Sequence, residues 1–199
     1  MILSVSNLSL TRGDRTLFRA LSLDLAPGEA IALTGPNGAG KTSLLRAVAG
    51  FIRPAAGTVT VAGDAETPPA SRLHLLGHLD GLKGHRTAGA ELDFQARWLG
   101  ASDAALAHAI DRLHLAPLLD LEVRKLSAGQ RRRLAFARLI AAPRPLWLLD
   151  EPLAPLDAGW RASIGGLMTE HLASDGAILA AVHDPLPVPT RDLDLEGLA

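Results

Sequence analysis

The chain has 199 residues, enough for one good-sized domain with a real core, or for one domain and a small appendage. Its 48% hydrophobic and 21% charged residues exclude a disordered chain, and a formal net charge of −1 gives general nucleic-acid binding no electrostatic support. The absence of cysteine excludes disulfides and Cys-ligated zinc and fits a reducing compartment.

The opening "MILSVSNLSLTRGD" has neither the basic start nor the long apolar block of a signal peptide. No uncharged apolar run approaches the roughly 20 residues that cross a bilayer. A soluble chain is expected, held at any membrane by a partner. From Ile2 to Val61, "ILSVSNLSL", "LSLDL" and "GTVTVAG" alternate as half-buried strands do. The turn at Ala26–Glu29 launches "AIALT", Ala30–Thr34, an apolar run suited to a strand covered on both faces.

A glycine-rich loop follows: Gly35, Pro36, Asn37, Gly38, Ala39, Gly40, Lys41 and Thr42, then Ser43. It fits G-x-x-x-x-G-K-[ST] between a strand and a helix, the context a P-loop requires. Its glycines let backbone N–H groups turn around a phosphate, and the helix N-terminus adds partial positive charge. Lys41 is expected to reach the β- and γ-phosphates of a nucleotide, and the Thr42 hydroxyl to ligate Mg²⁺. The helix through "TSLLRAVAG" ends with Gly50 as its C-terminal cap.

After a short strand-like run comes "LLGHLDGLKG", Leu75 to Gly84, a loop without glutamine. The stretch from about 87 to 125 reads as helices. Thr87 caps one, and Ser102 caps a second with an apolar stripe of Ala105, Leu106, Ala109, Ile110 and Leu113. "LSAGQ", Leu126–Gln130, opens a third helix running to about Ala141: Ser127 supplies a hydroxyl and a cap, and Gly129 permits close backbone approach to a phosphate. The arginines at 131–133 point about 100° apart, so they are expected to be solvated or to pair locally with carboxylates rather than to form a patch.

"LWLLD", Leu146–Asp150, is a buried strand delivering Asp150 and Glu151 at its end. Neighbouring strand positions face opposite ways, so Asp150 is expected beside Mg²⁺ and Glu151 beside the water that attacks the γ-phosphate. A helix near Trp160–Ala173 and a strand at Ala177–Val182 follow, and the proline-rich tail is expected to add one edge strand.

In this order and spacing, the P-loop, "LSAGQ", "LLDEP", "APLD" and a histidine after the next strand resemble the ATP-binding subunits of ABC (ATP-binding cassette) transporters over nearly the whole chain. The resemblance implies an α/β P-loop cassette with a RecA-like core and an N-terminal antiparallel β-subdomain. It implies one domain over 1–199, with a helical subdomain inserted at about 87–125. It implies ATP and Mg²⁺, ATP hydrolysis coupled to transport, and a head-to-tail dimer with itself or a second cassette. Ser127, Ala128, Gly129 and Gln130 of one subunit would then cover the ATP held by Lys41 of the other. Asp157 would line the dimer seam, and His183 would contact the γ-phosphate; with Lys41 and Glu151 it completes the catalytic set. Ala128 stands where the family has a first glycine. Arg12 stands where a base-stacking aromatic is expected, and a guanidinium plane can stack on a base.

"LGHLDGLKG" further resembles the loop of the haem-exporter ATP-binding subunit of cytochrome c maturation, and "RTLFRALSLDLAPGEA" and "LSAGQRRRLAFARL" agree. That implies integral membrane subunits as partners and a peripheral place on the cytoplasmic face of the bacterial inner membrane. His78 is then expected to replace the missing glutamine, with residues 80–83 facing the partner. His74, His78 and His85 lie near one another in sequence without the context of an axial ligand, so direct haem contact is not expected. The alternatives are another small-molecule ABC exporter, or a nucleotide-gated module with slow hydrolysis. A soluble cassette of DNA repair or translation is disfavoured by the near-neutral charge and the lack of a coiled-coil insertion.

Overall fold

A computed structural model describes residues 1–13, 15–63 and 68–197. They form two compact units: one takes Met1–Gly77, Arg144–Pro152 and the chain from Arg161 onward, the other His78–Pro143 and Leu153–Trp160.

The first unit carries two sheets. Strands β1 (Leu3–Arg12) and β2 (Arg15–Leu25) pair antiparallel, and β4 (Ala56–Val61) pairs with the other edge of β1. Alternation along β1 breaks first near Asn7, one of several register irregularities against β2. Leu3 and Val5 are buried, then Leu8 and Leu10, because the register shifts between Val5 and Leu8, with Asn7 at φ 49°. The irregularity re-phases the strand so that its apolar set stays on the core side.

The second sheet is wholly parallel. It comprises β3 (Ala30–Thr34), β5 (Leu73–Leu76), β6 (Leu146–Asp150), β7 (Ala177–Ala181) and β8 (Arg191–Asp194), in the order β5-β6-β7-β3-β8. Every residue of β6 and β7 is buried, which is why both read as continuous apolar runs rather than as alternation. Each buried leucine contributes roughly 2 kcal/mol of transfer free energy. The tail forms β8, parallel to β3 at the sheet edge. Helix α1 (Lys41–Val48) places Leu44, Leu45, Ala47 and Val48 into one core with the inner faces of β1, β2, β3, β6 and β7. Gly50 follows α1 at φ 81°.

Most of α5 (Ala158–Ala173) belongs to this unit. Its His171 stacks on Trp147 of β6, with centroids 3.9 Å apart and planes 6° from parallel. The ring lies 3.2 Å from Ala177 O, and burial pushes the imidazole below its ordinary range.

The second unit is helical: α2 (Ala88–Leu99), α3 (Asp103–Arg112) and α4 (Ala128–Ala141), with α4 packing on both others. The hydroxyls of Thr87 and Ser102 accept from Ala90 N and Ala105 N, so the capping residues read from the sequence start both helices. Ala109 and Leu113 of the apolar stripe are buried. The compact unit extends beyond the helical stretch of about 87–125 on both sides. None of the helices among the described residues is long and apolar enough to cross a membrane.

Candidate nucleotide site

Three neighbouring strands, β6, β7 and β3, end on one edge of the parallel sheet, where open α/β sheets bind ligands. The loop after β3 has Gly35, Gly38 and Gly40 at positive φ, and α1 starts at Lys41. Gly40 is needed twice over. Its φ is 104°, and a Cβ there would lie 3.1 Å from the Phe18 ring of β2. No side chain caps α1, and its first turn holds no acidic residue, so its N-terminal N–H groups stay available to an anion. Lys41, only 8% exposed, turns back into the loop and donates to Gly35 O at 2.5 Å and Pro36 O at 3.4 Å.

The Thr42 hydroxyl lies 3.1 and 3.0 Å from the two carboxylate oxygens of Asp150, at the end of β6. This set is hard and all-oxygen. With one carboxylate and one hydroxyl it leaves most of a coordination sphere to phosphate and water, which suits Mg²⁺. No group of three or more His, Cys, Asp or Glu that could hold a metal exists among the described residues.

Glu151 adopts φ 49°, left-handed and unfavourable for a side-chain-bearing residue, while its N–H donates to Ala181 O at 2.9 Å. Its Oε1 lies 3.5 Å from His183 Nε2. Lys41, Thr42, Asp150, Glu151 and His183 thus all belong to the first unit: Lys41 and Thr42 open α1, Asp150 ends β6, and Glu151 and His183 lie just beyond β6 and β7.

Arg12 is exposed at the end of β1. The basic side chain nearest Gly38 is instead that of Arg15, whose Nη1 would lie 3.9 Å from a Cβ placed there. The sequence reading did not single out Arg15, because it sits three positions from the one that the resemblance marks.

The remaining candidate residues lie in the second unit. Ser127 and Gln130 form a reciprocal capping box: Ser127 Oγ accepts from Gln130 N at 3.1 Å, and Gln130 Oε1 accepts from Ser127 N at 2.8 Å. Ala128 is exposed at the start of α4. Gly129 makes its close approach to protein: a Cβ there would come 2.9 Å from Pro155 O. Asp157 Oδ1 accepts from Trp160 N at 2.9 Å and so caps α5.

The arginine triple corrects its expectation. Arg132 is 2% exposed and its Nε lies 3.2 Å from Asp80 Oδ1, an ion pair between residues far apart in sequence. Arg131 donates to Leu126 O. Arg133 donates to Leu113 O at 3.1 Å and lies over the Trp160 ring.

The glutamine-free loop is tied down from beneath. Asp80 sits at φ 58°, and its carbonyl accepts from Arg138 Nη1 at 3.0 Å. Gln95 of α2 donates to Gly81 O at 3.3 Å, so a glutamine does reach the loop, from a helix. Burial pushes the Asp80 carboxyl up against the opposing pull of Arg132, Arg131 and Arg138, and pushes the Arg138 guanidinium down to about 10. The Asp80 carboxylate is therefore turned inward, against the expectation that it faces a partner; Leu79, 86% exposed, occupies the outer surface, and His78 and Lys83 are exposed too. His74 is buried in β5, whereas His85 is exposed.

A phosphate-ready loop between a strand and a helix, with a hydroxyl–carboxylate pair supplied by an adjacent strand, defines a P-loop nucleotide-binding protein. The ABC transporter family matches residues 18–154. The "cytochrome c biogenesis ATP-binding export protein CcmA" of Rhodopseudomonas palustris (strain BisB5) is 46% identical over 200 residues, covering all of both chains, and that of Nitrobacter winogradskyi is 44% identical over the same full lengths. An ABC transporter ATP-binding protein of Pyrococcus furiosus superposes with TM-score 0.83 at 19% identity over the whole of both chains. An ATP-binding subunit of an ABC transporter does so with TM-score 0.84 at 23% identity, covering 92% of this chain and 80% of that one; at such identities these two show the fold alone. The chain belongs to the ABC transporter ATP-binding family.

Proposed function

We propose that the chain is the ATP-binding and ATP-hydrolysing subunit of the membrane ABC transporter that exports haem for cytochrome c biogenesis, held peripherally on the cytoplasmic face of the bacterial inner membrane. The observation that carries the enzymatic part is the pairing of Thr42 with Asp150 beside Lys41, with Glu151 and His183 on the loops after the adjoining strands. The cargo and the membrane partners rest on full-length likeness to export proteins of cytochrome c biogenesis.

In this reading the N–H groups of residues 37–42 wrap the β-phosphate, and Lys41 exchanges its carbonyl contacts for phosphate oxygens. Thr42 and Asp150 would hold Mg²⁺, which would supply positive charge to the phosphates. Glu151 orients the attacking water, and His183, already near Glu151, steadies the γ-phosphate side. Arg12, with Arg15 close behind, flanks the base and phosphates. Two cassettes meet head to tail, so that Ser127 to Gln130 and Asp157 of each close the site of the other. His78 supplies the contact a loop glutamine would make, and Leu79 and Lys83 present the loop to the membrane subunits.

The test is steady-state hydrolysis by the complex recovered from detergent-solubilised membranes. Lys41→Ala and Glu151→Gln are each expected to lower turnover by roughly two orders of magnitude, through lost stabilisation of the transferring phosphoryl group. His78→Ala is expected to blunt stimulation by the membrane subunits. Near wild-type hydrolysis by the first two variants would sink the enzyme reading. A complex that functions while its nucleotide stays ATP would favour the slow, nucleotide-gated module, which the glutamine-free loop motivates.

A further inference from the structure

We propose that Trp160 is a positioning residue: it fastens the loop bearing Asp157 to helix α4, so that Ser127, Gly129 and Asp157 reach the nucleotide of a second copy as one rigid body. This rests on the head-to-tail reading above.

Three features of the second unit support it. The Trp160 ring is held by two side chains. The Arg133 guanidinium carbon sits 4.1 Å from its centroid, and the His114 ring meets it edge-on at 5.6 Å and 83°. Arg133 is itself fixed, donating to Leu113 O at 3.1 Å where α3 ends, so the clamp joins α3, α4 and the start of α5. An arginine stacked on tryptophan gains most where both are partly desolvated. Second, the residue whose ring is clamped also holds the carboxylate: Trp160 N donates to Asp157 Oδ1 at 2.9 Å. Ring and carboxylate thus belong to residues three positions apart in the chain. Third, the same loop lies against the Ser127–Gln130 segment, because Pro155 O sits 2.9 Å from where a Cβ on Gly129 would be. The loop is therefore held to α4 at its middle through Gly129 and at its end through Trp160. Neither contact involves the P-loop, so loss of the clamp is expected to misplace the groups offered to the neighbouring subunit and to leave the chain's own nucleotide grip intact.

The experiment compares Trp160→Ala, Trp160→Phe, Arg133→Gln and Ser127→Arg in the membrane complex, measuring kcat, KM for ATP, nucleotide affinity and thermal midpoint. Trp160→Ala is expected to lower kcat roughly ten- to a hundredfold through misplacement alone, with KM and affinity within about twofold of wild type. Trp160→Phe keeps a ring under the guanidinium and is expected to recover most of the rate. Arg133→Gln is expected to reproduce the kcat loss, which keeps the proposal testable if Trp160→Ala does not fold. Adding Trp160→Ala to Asp157→Ala is expected to cost less than the sum of the two single losses, since the clamp acts in part by placing the Asp157 carboxylate. A normal kcat in Trp160→Ala, a phenylalanine variant as impaired as the alanine one, or fully additive losses would each overturn the role of Trp160. Wild-type hydrolysis by Ser127→Arg would instead overturn the head-to-tail reading, whereas an inactive Ser127→Arg beside an unimpaired Trp160→Ala would remove the clamp alone.

Discussion

Adjacent residues 128 and 129 differ in what a methyl group would meet. Ala128 begins α4 exposed, so carrying a side chain there costs nothing. At Gly129 a Cβ would lie 2.9 Å from a backbone oxygen, closer than such atoms pack, and the Pro155 loop would have to move. Gly129→Ala is therefore expected to cost about 1–3 kcal/mol of stability, as overpacking does, and to lower turnover with it. Ala128→Gly is expected to change stability by at most about 1 kcal/mol, the intrinsic helix penalty of glycine, and to leave turnover near wild type. Urea unfolding and hydrolysis of both variants check this, and a Gly129→Ala chain as stable and active as wild type would refute it. Gly129 was legible as a place of close approach, but the sequence pointed to a phosphate, whereas within the chain the close neighbour is Pro155 O. A pentapeptide carries no information about a chain segment that arrives from beyond the next strand.

Local signals sufficed for several elements, where each residue agrees with its neighbours. The caps at Thr87, Ser102 and Ser127, the continuous apolar runs of β3, β6 and β7, and the tail strand β8 all stand as their patterns indicate. Helix α4 shows where that reasoning stops. Its arginines do fan around the axis as helical geometry requires, yet Arg132 enters the interior because Asp80, from a distant loop, is there to receive it. Breaking one side of a buried pair leaves a charge inside, so Asp80→Asn is expected to destabilise the chain by about 3 kcal/mol. Combining it with Arg132→Met removes both charges and is expected to restore much of that loss, because a buried pair often nearly balances its own desolvation. Urea midpoints of the two single variants and the double variant decide the matter. A double variant as unstable as the sum of the singles would mean that the two residues do not act as a pair. The fastening of this loop also explains how a stretch without the family glutamine keeps its shape. Arg138 and Gln95 hold its carbonyls, leaving Leu79 outermost.

Across the whole molecule, the candidate residues divide by unit. Lys41, Thr42, Asp150, Glu151 and His183 fall in one, and Ser127, Gly129 and Asp157 in the other. Their order along the chain was legible, because each motif is short and sits at an element end. The division between units was not, since the boundary residues His78, Pro143 and Leu153 carry no compositional shift. The division makes the proposed head-to-tail assembly testable by complementation. In the proposed reading, Lys41→Ala disables the phosphate grip and leaves the Ser127–Gln130 segment whole, whereas Ser127→Arg does the reverse. If each site draws its two halves from different subunits, a mixed dimer contains one site with both halves intact and one with neither. Co-expression of the two inactive variants is then expected to restore hydrolysis to as much as roughly a quarter of wild type, because random pairing gives mixed dimers half the time with one working site of two. If each chain completes its own site, every site in the mixture stays broken and no activity returns. Purifying the mixed species through different tags on the two variants, then measuring its hydrolysis, distinguishes these outcomes; an inactive mixed dimer that still assembles would refute the shared site while leaving the nucleotide grip of the P-loop untouched.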